Sequence, residues 1–141
     1  MVINRNRLRF VRALIEVVGL VIWVEVALRR HSFEQVLSGI GPTGRRAWHG
    51  REISPSTFER AIAIAYRILP LEPTCLKHSL IFCRIRRRRG LAAELRIGVQ
   101  KDEGIFMAHA WLEDEAGQPL TDPMDKFVPF PLVCRGAGRH T

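Results

Sequence analysis

The sequence predicts an α+β fold on three observations. Apolar residues recur at three- and four-residue spacing as far as Gly90, they alternate on a period of two beyond it, and proline or glycine marks most changes of pattern. Helices should therefore come first and pack on an antiparallel sheet that follows. The chain of 141 residues is 47% hydrophobic, enough to bury a core and too apolar for wholesale disorder.

Each element has a local reason. Arg5 to Arg30 reads as a long helix, with Arg29, Arg30 and His31 suited to its negative C-terminal end. Ser32 can cap a short second helix through Leu37, closed by Gly39 and Gly41. Gly41 to Glu52 holds turn formers without sustained periodicity, and a boundary is expected there. Residues 1–52 then form an N-terminal helical region, a candidate partner-docking unit, and residues 53–141 form the domain that carries the chemistry. Ser54 and Pro55 open a third helix to Leu69, with Phe58, Ile62 and Tyr66 at four-residue spacing and Pro70 and Pro73 beyond it. Thr74 caps a fourth helix from Cys75 to about Arg89, stopped by Gly90. Ala93–Val99 and Ile105–Glu113 read as strands around a turn at Lys101–Gly104. Asp114–Gly117 is a second turn, and Gln118–Asp122 a short third strand.

Composition narrows the function classes. The net charge of +8 comes mainly from arginine, dispersed except for Arg84 and Arg86 to Arg89 at the end of the fourth helix. Cations favour a helix C-terminus, so this run is expected to be mostly solvated. No aromatic residues interleave with it as nucleic-acid binding would require, and no nucleic-acid partner is expected. Phe10 to Leu28 is hydrophobic, but Arg12, Glu16 and Glu25 interrupt it. Its longest uncharged run, Val17 to Val24, falls short of the roughly 20 apolar residues of a membrane span. A buried or partner-binding helix is expected, packing partly on the rest of the chain and leaving an apolar surface for a partner protein or peripheral membrane contact. No secretory signal is evident, and three cysteines cannot all pair, so a reducing, cytoplasmic setting is expected.

Cys75, His109 and Asp122 carry the candidate chemistry. Cys75 lies in the first turn of its helix, where unpaired N–H groups and the dipole favour a thiolate nucleophile. The alternative is a small buried hydrophobe. Cys83, two turns on among Leu80, Ile81 and Ile85, reads as core, and Cys134 has no assigned role. In the second strand Ile105, Met107, His109, Trp111 and Glu113 share one face. If Asp114–Gly117 is a four-residue loop, Glu113 pairs with Gln118, Leu112 with Pro119, and His109 faces Asp122. An aspartate there can orient the imidazole as a catalytic base. Asp125 falls on the wrong face in that register. The competing account of His109 is a satisfied histidine beside Trp111. His78, one turn from Cys75, is a rival base expected to cover the helix surface instead. Spacing argues against a zinc site from Cys75, His78, Cys83 and His109, and no cofactor or metal is called for.

Three segments carry a family resemblance: Pro73-Thr-Cys-Leu-Lys-His-Ser-Leu80, Arg88-Arg-Gly-Leu-Ala-Ala-Glu-Leu-Arg-Ile-Gly-Val99, and Ala108-His-Ala-Trp-Leu-Glu113 with Pro119-Leu-Thr-Asp122. Together they closely resemble the lasso peptide leader peptidases, cysteine proteases of transglutaminase-like type, over roughly Ser54 to Asp122. The resemblance implies Cys75 as nucleophile, His109 as base, Asp122 as orienting acid, and a transglutaminase/papain-like core in which a cysteine-bearing helix packs on an antiparallel sheet. It implies removal of the leader peptide from a ribosomally made lasso precursor through an acyl-enzyme. The short chain matches the stand-alone form of the protease. Its implied partners are the precursor leader peptide, a small leader-recognition protein and an asparagine-synthetase-like macrolactam cyclase. His78 departs from the arginine the family often has there. Two other readings stay open from the residues: acyl transfer to an amine by the same triad, and a non-catalytic scaffold binding peptide or nucleic acid through its basic surface.

Overall fold

The computed structural model describes residues 4–41, 55–120 and 128–129. Among them the chain forms α1 (Arg5–Arg30), α2 (Phe33–Ile40), α3 (Pro55–Ile68), α4 (Cys75–Arg88), β1 (Glu94–Asp102), β2 (Ile105–Glu113) and β3 (Val128–Pro129). The strands make one antiparallel sheet in the order β2-β1-β3, so the fold is α+β as the sequence predicts. β3 was not expected. It pairs with β1 through Gly98 opposite Pro129.

Local chemistry sets the helix ends. Ser32 and Gln35 form a reciprocal capping box at α2: Gln35 N–H donates to Ser32 Oγ at 3.3 Å, and Ser32 N–H to Gln35 Oε1 at 3.0 Å. This helix runs to Ile40, beyond the expected Leu37, because Val36, Leu37 and Ile40 all bury in the core. At the end of α4, Gly90 N–H donates to Arg87 O at 3.1 Å and Leu91 N–H to Arg86 O at 3.0 Å, a Schellman closure around Gly90.

The core centres on α4, which buries Ser79, Leu80, Ile81, Phe82, Cys83, Ile85 and Arg87. It packs on β2 and β1 on one side and on α1 on the other, while α1 also packs on α3. One continuous apolar cluster joins Val17, Val21 and Val24 of α1, Phe58 and Ile62 of α3, Leu80 and Ile85 of α4, and Leu95 and Leu112 of the sheet. The expected boundary near 41–52 falls mostly outside the described residues, and this cluster runs across it.

Two ion pairs fix α1 antiparallel to α4. Lys77 Nζ lies 2.7 Å from Glu25 Oε2 near the start of α4, and Arg89 Nη2 lies 3.0 Å from Glu16 Oε2 just past its end. The arginine run corrects an expectation, because most of it is not solvated. Arg84 donates to the Gly39 carbonyl and lies over the Trp23 ring. Arg87 is buried and donates to Ala93 O and Gly41 O, each at 3.0 Å. Arg89 adds a face over Phe58 to its ion pair, and Arg88 alone of the four consecutive arginines is exposed. A guanidinium carries several donors, so a run at a buried helix end can satisfy carbonyls that would otherwise be orphaned.

The hairpin beyond β2 brings a second correction. Gly117 N–H donates to Asp114 O at 3.0 Å, and Asp114 N–H to Gln118 O at 2.9 Å. Asp114 Oδ1 accepts from the N–H groups of Ala116 and Gln118, both at 2.9 Å. Gly117 holds φ of 76°, so a type I turn ends in a left-handed residue and the loop proper is 115–117. Glu113 therefore sits opposite Pro119, not Gln118, and Leu120 N–H donates to Leu112 O at 2.7 Å. The described part of the expected third strand forms this single bridge, one residue out of the expected register.

Candidate active site

Thr74 explains why α4 begins on Cys75. Its backbone is extended and its Oγ1 accepts from Lys77 N–H at 3.2 Å, which starts the helix at the next residue. Cys75 is exposed at the helix end where backbone N–H groups point outward and the dipole favours an anion. Cys83 is buried as expected, its thiol 3.7 Å from Ala93 O. Cys134 lies outside the described residues.

His109 sits half-buried on β2, and its ladder partner on β1 is Gly98, so no side chain stands directly opposite the imidazole on that strand. Trp111 shares its face, with ring centroids 6.1 Å apart and planes 17° from parallel. The indole is held in turn: Trp111 Nε1 donates to Glu113 Oε1 at 3.0 Å, and Glu113 Oε2 accepts from Arg96 Nε at 2.8 Å. The period of two revealed the shared face of His109, Trp111 and Glu113. It could not reveal Arg96, which arrives across the sheet opposite Trp111.

One buried hydrogen bond joins the cysteine helix to the histidine strand. Ser79 Oγ, a turn after Cys75, donates to Ala110 O at 3.2 Å, and Ala110 follows His109. Sequence reasoning missed this joint, since the partners are 31 residues apart.

Cys75 and His109 line one cleft of about 650 Å³ between α3, α4 and β2. Ile62, Ala63, Tyr66 and Pro73 give it apolar walls, while Glu59 and Arg67 contribute charge of both signs. His78 also lines it, correcting the expectation that it merely covers the helix surface. It stacks on Phe82 with centroids 6.2 Å apart and planes 7° from parallel. Burial holds its imidazolium below the ordinary histidine range, partly offset by the Glu59 carboxylate. Burial pushes the Tyr66 phenol up, helped by the Glu25 carboxylate, and its hydroxyl has no hydrogen-bond partner among the described residues.

Asp122 and the alternative Asp125 lie outside the described residues. The geometric route to a facing His109–Asp122 pair does not hold at its first rung, since Glu113 meets Pro119. Among the described residues no three His, Cys, Asp or Glu side chains gather as metal ligands, and no helix is long and apolar enough to cross a membrane. What the cleft can supply is a thiol nucleophile and an imidazole proton acceptor beside an apolar surface, the equipment of acyl transfer through a thioester.

No curated protein and no solved structure matches this chain. The profile described as Transglutaminase-like superfamily matches residues 17–131, from within α1 to beyond β3 and including both Cys75 and His109. By this match and by its α+β architecture, the chain belongs to the transglutaminase-like superfamily.

Proposed function

We propose that this protein is a cysteine peptidase that removes the leader from a ribosomally made lasso peptide precursor. The observation that carries the reading is the shared cleft: Cys75 at the first turn of α4 and His109 on β2 both line it. Superfamily membership and the resemblance over Ser54 to Asp122 support the same chemistry. In this mechanism the Cys75 thiol gives its proton to His109, and its sulfur attacks the scissile carbonyl. The Cys75 backbone N–H, at the positive end of α4, is suited to the oxyanion. His109 then protonates the departing amine of the core peptide. Water attacks the thioester, leaving a leader that ends in a free carboxylate and restoring the thiol. Asp122 takes the orienting role in this reading, as the resemblance implies.

The test is mass spectrometry of a precursor incubated with the full chain and a leader-recognition protein. The expected products are the free core and a leader carrying a new carboxylate, with no cleavage by a folded Cys75→Ala variant. An isopeptide adduct would replace hydrolysis with acyl transfer to an amine. Normal cleavage by the alanine variant would end the cysteine mechanism altogether.

A further inference from the structure

α1 has two apolar faces, and the core covers only one. Ala13, Val17, Leu20, Val21, Val24 and Ala27 are buried. At roughly 100° per residue, Leu8, Val11, Ile15, Ile22 and Val26 fall on the opposite side of the helix. Their exposure is between 44% and 68%, highest at Ile15. These side chains, with Gly19 among them, make a stripe about 27 Å long at the three- and four-residue spacing of a helix-packing seam.

The borders of the stripe say what fits it. Arg5, Arg12 and Arg30 flank one side and Arg7 the other, all exposed, while Arg29, also exposed, is ion-paired with Glu25. Both carboxylates of α1 are turned away and engaged: Glu16 with Arg89, Glu25 with Lys77 and Arg29. A second copy of this chain would oppose arginine with arginine, an arrangement that disfavours self-pairing. An acidic flank matches it.

Gly19 separates a helix from a lipid surface as the occupant. Glycine inside a helix weakens it relative to alanine, so an internal reason for it is worth seeking. Gly39 has one: an added Cβ there would lie 2.9 Å from the Trp23 ring. At Gly19 an added Cβ meets nothing within 4 Å. The absent side chain serves no contact within the described fold and leaves a notch in the middle of an exposed stripe. A helix backbone approaching closely uses such a notch, whereas fluid acyl chains do not need one. We infer that the outer face of α1 is a docking seam for an amphipathic helix of a partner protein, with an apolar ridge seated over Gly19 and acidic residues facing the flanking arginines.

The probe is a synthetic helix with leucine at its seam positions and glutamate on both flanks, compared with the same helix carrying lysine flanks. Fluorescence anisotropy with the full chain should show binding of the acidic helix only, weakened by added salt. Ile15→Asp should cut the affinity at least tenfold. Gly19→Leu, whose added Cβ meets nothing within 4 Å, should do the same, while the thermal melt stays at or above that of wild type, as loss of a helix glycine predicts, and the Cys75 alkylation rate is unchanged. Vesicles of phosphatidylcholine with phosphatidylglycerol are the lipid arm. Vesicle binding maintained or strengthened by Gly19→Leu, with no binding of the acidic helix, would overturn the inference in favour of a membrane surface. A dimer dispersed by Ile15→Asp would overturn it in favour of self-association, and equal affinity of Gly19→Leu and wild type for the acidic helix would remove the notch and the inference with it.

Discussion

The His109 imidazole lies nearly parallel to the Trp111 indole, 17° apart in plane and 6.1 Å between centroids. The indole is not free to follow it, because Trp111 Nε1 donates to Glu113 and Glu113 accepts from Arg96. Backbone alternation sets which side the imidazole occupies, and this chain of contacts limits how it tilts. In the proposed peptidase the base must meet a sulfur on another element, and small displacements of such groups are costly.

Glu113→Ala should therefore lower kcat for leader cleavage on the order of tenfold with a smaller change in KM. Trp111→Phe, which keeps an aromatic face but not the N–H, should fall between this variant and wild type. Unchanged kcat in Glu113→Ala would mean the indole does not position the histidine.

Ser79 gives a sharper test, since its hydroxyl bridges the two halves of the site. Ser79→Ala leaves the Ala110 carbonyl without this donor in a buried setting, a loss of about 1–3 kcal/mol. Chemical denaturation should report that loss. Cleavage should fall more than a stability change of this size accounts for at temperatures where the variant is fully folded, and wild-type kcat would reduce Ser79 to a packing residue.

These contacts also show how far the sequence was legible. Helix limits could be read because their causes are local: Ser32 with Gln35, Thr74 with Lys77, and Gly90 just past α4. The turn between β1 and β2 was legible in place but not in length: Lys101 and Asp102, expected in the turn, stay paired in β1, which runs past the expected Val99. Glu103 and Gly104, both at positive φ, form a two-residue loop with Asp102 opposite Ile105. The hairpin after Glu113 was misread by one residue because Asp-x-x-Gly also encodes a turn whose left-handed glycine shortens the loop proper. Ser79 to Ala110, Arg87 to Gly41 and Lys77 to Glu25 were not legible at all. Each joins residues remote in sequence, and no periodicity encodes which donor meets which acceptor.

His78 should give the protein a pH-dependent stability. Burial lowers its folded pKa, so the unfolded chain binds a proton at pH values where the native protein does not. Stability therefore rises with pH across the window just below the ordinary histidine value of about 6.5 and is lost as pH falls through it. Wild type should melt lower at about pH 5 than at about pH 7, and His78→Phe, which retains a ring against Phe82, should narrow that difference. An unchanged difference would mean that other groups set it.

The Glu25–Lys77 pair makes the last prediction, with the opposite kind of group and the same direction in pH. The Lys77 ammonium, 2.7 Å from the carboxylate, is the largest cause holding Glu25 below the ordinary glutamate range, against a burial penalty that raises it. Its stabilisation is fully present above the unfolded pKa, near 4.3, and is lost as pH falls through the folded value. Lys77→Met leaves a largely buried carboxylate with Arg29 alone, whose own side chain is 70% exposed, and should cost about 3 kcal/mol. It should also move the acid-induced loss to higher pH, because the depressed pKa relaxes. Adding Glu25→Leu to Lys77→Met removes the stranded charge, so the double variant should recover most of the lost stability in a urea titration at neutral pH. If the losses of Lys77→Met and Glu25→Leu simply add, Glu25 and Lys77 are not coupled, and this pair does not help hold α1 against α4.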